Sequence, residues 1–146
     1  MPAVFTIGFR QKALREFVRR LREASVDGII DIRLRNTSQL AGWTKRDDFE
    51  YLLREGFGIE YEHRQEQAPS QDIMDRYRVD KDWAAYEKAF GRLMIERDAI
   101  RAGRDILSRY RAPCLLCAEP SADQCHRRLV AAHWAEHLPD VTVVHL

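Results

Sequence analysis

The sequence predicts an α/β fold: one layered domain over residues 1–146, with a mostly parallel sheet of about five strands flanked by helices. Three observations carry this expectation. Short apolar runs alternate with segments of helical spacing, the pattern of right-handed crossovers between parallel strands. A chain of 146 residues is long enough for one real core and too short for two comfortable ones. No internal repeat, low-complexity stretch or shift in composition marks a second domain.

The elements follow in order. Residues 3–7 read as a strand closed by Gly8. Between residues 11 and 24 the apolar residues Leu14, Phe17, Val18 and Leu21 share one helical face. Gly28, Ile29, Ile30 and Ile32 make a second strand, interrupted by Asp31 and ended by Arg33. Thr44 is expected to cap a helix with Asp47 three residues on, Phe49, Leu52 and Leu53 inward, and Gly56 as its stop. Residues 58–61 form a weaker third strand.

Residues 63–82 are long and polar, with Pro69 and one short helix carrying Ile73, Met74 and Tyr77. Connections beyond about 12–15 residues are uncommon unless functional or disordered, so a lid or arm is expected here. It would fold over a cleft or reach the second subunit of a homodimer. Trp83, Tyr86, Phe90, Leu93 and Met94 mark an amphipathic helix, and Ala99, Ile106, Leu107 and Tyr110 another. A strand at 113–117 crosses a turn of Pro120, Ser121 and Asp123 into a helix opening at Gln124, with Leu129, Val130 and Trp134 inward. A last strand covers 141–145.

Composition narrows the function classes. Apolar content of 45% and charged content of 32% argue against wholesale disorder. A net charge of +1 excludes a global basic field that would draw the protein onto nucleic acid. Arginine outnumbers lysine 20 to 4, and arginine suits bidentate binding of phosphate or carboxylate, although a genome favouring Arg codons explains the average one as well. Three cysteines without repeated spacing make no disulfide framework. The N-terminus lacks signal-peptide shape and no apolar run approaches a membrane span, so the expectation is a cytoplasmic protein with reduced thiols and no membrane partner.

Polar residues collect at strand ends, where open α/β sheets place ligands. These are Gly8-Phe9-Arg10, Asp31-Ile32-Arg33-Leu34-Arg35-Asn36, Tyr61-Glu62-His63 and Cys117-Ala118-Glu119. Asp31 stands out because it breaks an apolar run. The helix opening near Gln124 carries Arg127 and Arg128 in or beside its first turn, where cations cost roughly 0.3–1 kcal/mol each, a penalty a bound anion would reverse. Asp31 or Glu119 is expected as general acid or base, His126 as proton-transfer assistant, and Arg33 and Arg127 as anion clamps. Gly8, Arg10, Arg35, Tyr61 and His63 would line the same cleft. Trp43 and Lys45 would stack on a base and neutralise a phosphate, with a hydrophobic staple an equal reading of Trp43.

Cys117 and Cys125 admit three roles, ranked as packing, then nucleophile, then metal ligand with His126 and with His133 and His137, four apart on one helix; Cys114 reads as an apolar filler. The Cys-x5-Arg cradle of phosphatase-like and rhodanese-like loops is absent, because Pro120, Asp123 and Ala131 stand six residues after the three cysteines. The spacing matches no common zinc module, so neither stoichiometric zinc nor a cofactor is expected. The ligand classes are a phosphate-bearing small molecule or a nucleic-acid end. The leading expectation is an enzyme on a nucleotide-like substrate, the rivals a non-catalytic sensor and a Cys/His metal-binding protein.

Thr6-Ile7-Gly8, the Asp31–Asn36 segment, Gly42-Trp43-Thr44-Lys45, Tyr61-Glu62-His63 and Cys117-Ala118-Glu119 with Cys125-His126-Arg127 resemble one family across nearly the whole chain. It is the family called domain of unknown function four-eight-eight, small and mainly prokaryotic α/β proteins. The resemblance implies a compact α/β domain whose motif residues gather at one site, and brings no settled reaction. Many members read Gly-His-Ser after the first strand, where this chain has Gly8-Phe9-Arg10.

Overall fold

In the computed structural model, which describes residues 2–37 and 42–146, β1 (Ala3–Gly8) lies inside a five-stranded sheet. β2 (Gly28–Asp31), β3 (Glu60–His63), β4 (Pro113–Cys117) and β5 (Thr142–His145) complete it in the order β3-β2-β4-β1-β5. Every pairing is parallel. The helices are α1 (Leu14–Glu23), α2 (Arg46–Tyr51), α3 (Gln71–Asp80), α4 (Trp83–Glu96), α5 (Ala99–Arg109) and α6 (His126–His137).

Period-two alternation along the strands splits the core into two layers. Ile29, Ile7 and Leu116 face α1 and α2, where Phe17, Leu21, Phe49 and Leu53 complete one cluster. Ile30, Val4 and Leu115 face α4, α5 and α6, meeting Phe90, Met94, Ile106, Val130 and Trp134. Strands buried on both faces explain the near-continuous apolar runs at 28–32 and 113–117.

Three local expectations are corrected. α2 is preceded by a 3₁₀ turn, Gly42–Thr44, and its N-cap is Lys45, not Thr44. Thr44 is buried, and its carbonyl accepts a hydrogen bond from Arg33 Nη2 at 2.8 Å. The third strand starts at Glu60, two residues late, because a π-helical turn over Leu52–Gly56 extends the preceding helix and Gly58 takes a positive φ of 65°. α6 opens at His126 rather than Gln124. Leu40 and Ala41, which precede Trp43, lie outside the described residues.

The connector after β3 is pinned at its start. Gln67 is fully buried and donates to the Ala99 carbonyl at 3.1 Å, and Arg97 donates to the Ala68 carbonyl at 2.6 Å. The segment then forms α3, a full ten-residue helix capped by Ser70, whose Oγ accepts from the Ile73 N–H at 3.2 Å. Ile73 and Tyr77 pack on the α4 side of the core. Asp82 caps α4 in the same way, at 3.1 Å from the Ala85 N–H.

Candidate functional site

β1 and β4 are neighbours whose chains leave in opposite directions, β1 toward α1 on one face and β4 toward α6 on the other. That is the switch point at which open parallel sheets form a ligand crevice. Here the crevice itself is closed. Phe9 N–H donates to the Cys117 carbonyl at 3.3 Å and Arg10 N–H to the Ala118 carbonyl at 2.9 Å. Arg127, fully buried, donates to the Glu119 carbonyl at 2.5 Å and reaches the Cys117 sulfur at 3.6 Å. Gly8 permits this approach, since a Cβ there would overlap both the Glu119 carbonyl and the Arg127 guanidinium.

Beside the closed crevice, on the α3 and α6 side, lies an open cleft of about 680 Å³. Its floor is made by the carboxyl ends of β2 and β4, by Arg10 beyond β1, and by Gln124, Cys125 and His126 at the start of α6. α3 and the start of α4 form the opposite wall with Gln71, Met74, Tyr77, Trp83 and Tyr86. The Trp83 and Tyr86 rings stack at 4.8 Å between centroids. Among the described residues, cationic side chains dominate the lining: Arg10, Arg33, Arg35, Arg78 and Lys81, against one carboxylate, Glu119. α6 adds to this sign, because its N-cap Cys125 makes no side-chain hydrogen bond to the first turn.

The cations are held to different degrees. Arg10 and Glu119 pair at 3.2 Å with about half of each side chain exposed, 49% and 50%, a contact that competes weakly with a ligand. Arg35 donates to Gln71 Oε1 at 3.1 Å, joining the loop after β2 to α3. Arg33 is locked. Its Nε and Nη2 grip Asp31 Oδ1 and Oδ2 at 2.9 and 2.8 Å, and its guanidinium lies 5.1 Å from the Phe9 ring centre.

Asp31 is therefore corrected as a cleft residue. It shares the strand face of Ile29, so its fully buried carboxylate points to the α1/α2 layer, beneath the cleft. The Arg33 N–H and the Tyr61 hydroxyl also donate to it, the latter at 2.5 Å, and Asn36 bridges to Tyr61 at 3.0 Å. Burial, with the Asp31 charge beside it, pushes the Tyr61 hydroxyl well above its ordinary pKa. Asp31 is a framework anion with its acceptor sites occupied.

Other expected site residues also leave the cleft. Arg127 holds the loop after β4 from within; burial lowers it from its ordinary value, and its Nε has no hydrogen-bond partner among the described residues. Trp43 packs on Phe17 at 5.0 Å and Phe49 at 6.0 Å, which is the staple and not a stacking platform. Lys45 caps α2, away from the cleft lining. His63 anchors the Arg33 carbonyl at 2.8 Å through Nε2, and Gly8 contributes close backbone packing.

Glu119, His126, Arg10, Arg33, Arg35, Cys117 and Cys125 are brought together. His126 Nε2 lies 2.6 Å from the Ile32 carbonyl, so that nitrogen carries the proton. Burial lowers the imidazole to about 4, which keeps it neutral at neutral pH. Cys114 is fully buried inside β4, and burial pushes its thiol up, in keeping with a filler. Sequence reasoning missed Arg78, Lys81 and Trp83. The signal was the length of the connector, which left the face of its helix undetermined.

Fold and site together define an α/β protein with a cation-lined cleft over the carboxyl edge of a parallel sheet. Residues 13–134 match the family described as Domain of unknown function DUF488, and the chain belongs to that family. No curated protein and no solved structure gives a significant match. No described helix is long and apolar enough to cross a membrane.

Proposed function

We propose that the cleft binds a phosphate-bearing ligand with a planar ring, a nucleotide or the terminal nucleotide of a nucleic acid, and that the protein acts on it as an enzyme. The observation that carries the reading is the lining: Arg10 and Arg35 on the floor, and Arg78 and Lys81 beside the rings of the α3/α4 wall, outnumber one carboxylate, Glu119, among the described residues. Guanidinium groups match phosphate oxygens in pairs, and rings such as Trp83 and Tyr77 offer a base an apolar face. A volume of about 680 Å³ suits a ligand of nucleotide size.

Of the two expected carboxylates, Glu119 is the one that reaches the cleft, so it takes the general-base role. Its partner Arg10 swings to the ligand phosphate when that binds, which leaves Glu119 free to take a proton from an attacking water. α3 closes one side of the cleft and limits its access to bulk water. The test is incubation of the purified protein with a panel of nucleotides and short oligonucleotides, following both binding and product. Turnover that disappears in Glu119→Gln while binding persists supports the enzyme. Binding without turnover in the wild type makes the protein a sensor instead.

A further inference from the structure

Cys117 ends β4, and the chain returns eight residues later with Cys125 and His126 at the opening of α6. Two sulfurs and one imidazole nitrogen thereby converge within 4.8 Å of one another. All three residues line the cleft, and both sulfurs belong to buried residues. We propose that Cys117, Cys125 and His126, with both thiols reduced, bind one zinc or similarly thiophilic divalent ion whose fourth position opens into the cleft.

Two thiolates and an imidazole are a donor set that zinc selects, and three protein ligands with one open position are the pattern of reactive rather than structural sites. The surroundings fit as well. The Ile32 carbonyl fixes one His126 nitrogen at 2.6 Å, which leaves the lone pair of the other for an ion, the usual support for a metal-bound histidine. Arg127 lies 3.6 Å from the Cys117 sulfur, and a buried guanidinium there favours the thiolate.

The structure places the two sulfurs in direct contact, as a disulfide. Their Cα atoms are 7.7 Å apart, beyond the roughly 4.4–6.8 Å usual for bridged cysteines. That backbone spacing suits two sulfurs on either side of an ion better than a permanent bridge. The sequence ranks this reading last because its ligands sit on a strand end and a helix start, with none of the paired short spacings of zinc modules. Binding releases the two thiol protons to solvent and involves no electron transfer. The proposal is independent of the nucleotide reading, since its test uses the metal alone.

The experiment is anaerobic titration of the phosphine-reduced protein with cobalt(II), followed by displacement with zinc. The expected result is one cobalt per chain, a sulfur-to-cobalt charge-transfer band in the near ultraviolet and the visible bands of four-coordinate cobalt. Cys125→Ser and His126→Gln, each checked for folding by circular dichroism, should weaken binding at least about tenfold. A reduced, folded wild-type protein that shows no charge-transfer band overturns the proposal. So does cobalt affinity unchanged in both folded variants.

Discussion

Arg33 grips Asp31 at both carboxylate oxygens, 2.9 Å from Oδ1 and 2.8 Å from Oδ2, with the aspartate fully buried and the arginine nearly so. The pair ties the end of β2 to the turn before α2, because Arg33 also holds the Thr44 carbonyl. Removing one partner strands the other charge in the core, which typically costs about 3–5 kcal/mol. Asp31→Ala is therefore expected to lower the melting temperature sharply in thermal denaturation. A variant that melts like the wild type would show the carboxylate to be dispensable for the fold and return it to candidacy as a catalytic group.

Gly8 and Arg127 meet at one point, against the Glu119 carbonyl. Gly8→Ala pushes a methyl group into that contact, and overpacking of this kind costs about 1–3 kcal/mol. Arg127→Met removes the donor that holds the carbonyl. Because both changes act on the same loop, their effects in urea unfolding should be non-additive, with the double variant less destabilised than the two singles together. Strict additivity would show that the two residues do not share a contact.

Glu62 governs stability in acid. Burial pushes its carboxyl up, but hydrogen bonds from Arg109 and Tyr110 and the nearby Arg64 charge outweigh this and hold it at about 2, below its ordinary 4.5. A carboxyl depressed in the folded state stabilises fully above its unfolded pKa and loses that contribution as pH falls toward the folded value. The main partner of Glu62, Arg109, is partly exposed, so solvent screening reduces the contribution to about 2 kcal/mol, which should disappear between about pH 4.5 and 2. Glu62→Gln should be less stable than wild type at pH 7 and converge on it near pH 2. A constant difference across that range would contradict the assignment.

Layer order and element order were legible in the sequence because apolar period and turn residues report them directly. The convergence of Arg10, Arg33, Glu119 and Cys117 was legible for the same reason: strand carboxyl ends share one edge of a parallel sheet. Side-chain direction was not. Asp31 and Arg127 belong to cleft-edge segments, yet one points into the α1/α2 layer and the other back under its own loop. Neither fact follows from position along the chain, since each depends on a partner 2 to 30 residues away, Arg33 and Tyr61 for one and the Glu119 carbonyl for the other. Arg78 and Lys81 escaped notice because the orientation of α3 is set by its packing on α4 through Ile73 and Tyr77.

The connector from residue 63 to 82 is part of the wall as well as a bridge. Replacing residues 67–78 with a short flexible linker removes buried Gln67 and uncovers Trp83 and Tyr86, so it is expected to reduce stability along with ligand binding. Point changes on its cleft face are the cleaner probe. Arg78→Ala and Lys81→Ala should leave the melting temperature within about 0.5 kcal/mol equivalent of wild type, as exposed substitutions usually do, while weakening phosphate-ligand binding. Unchanged affinity in both would remove α3 from the site.

If the cations of the cleft hold a phosphate-bearing ligand, as proposed, reversing their charge should abolish the hold. Isothermal titration of the best-binding nucleotide into wild type and into the double variant Arg35→Glu/Lys81→Glu should show a loss of about a hundredfold or more, since each charge-assisted contact is worth about 1.5–3 kcal/mol. The same titration at raised salt should weaken wild-type binding and barely affect the variant. Equal affinity in the two folded proteins, or no binding of any phosphate-bearing ligand by the wild type, would show that the cleft is not a phosphate site.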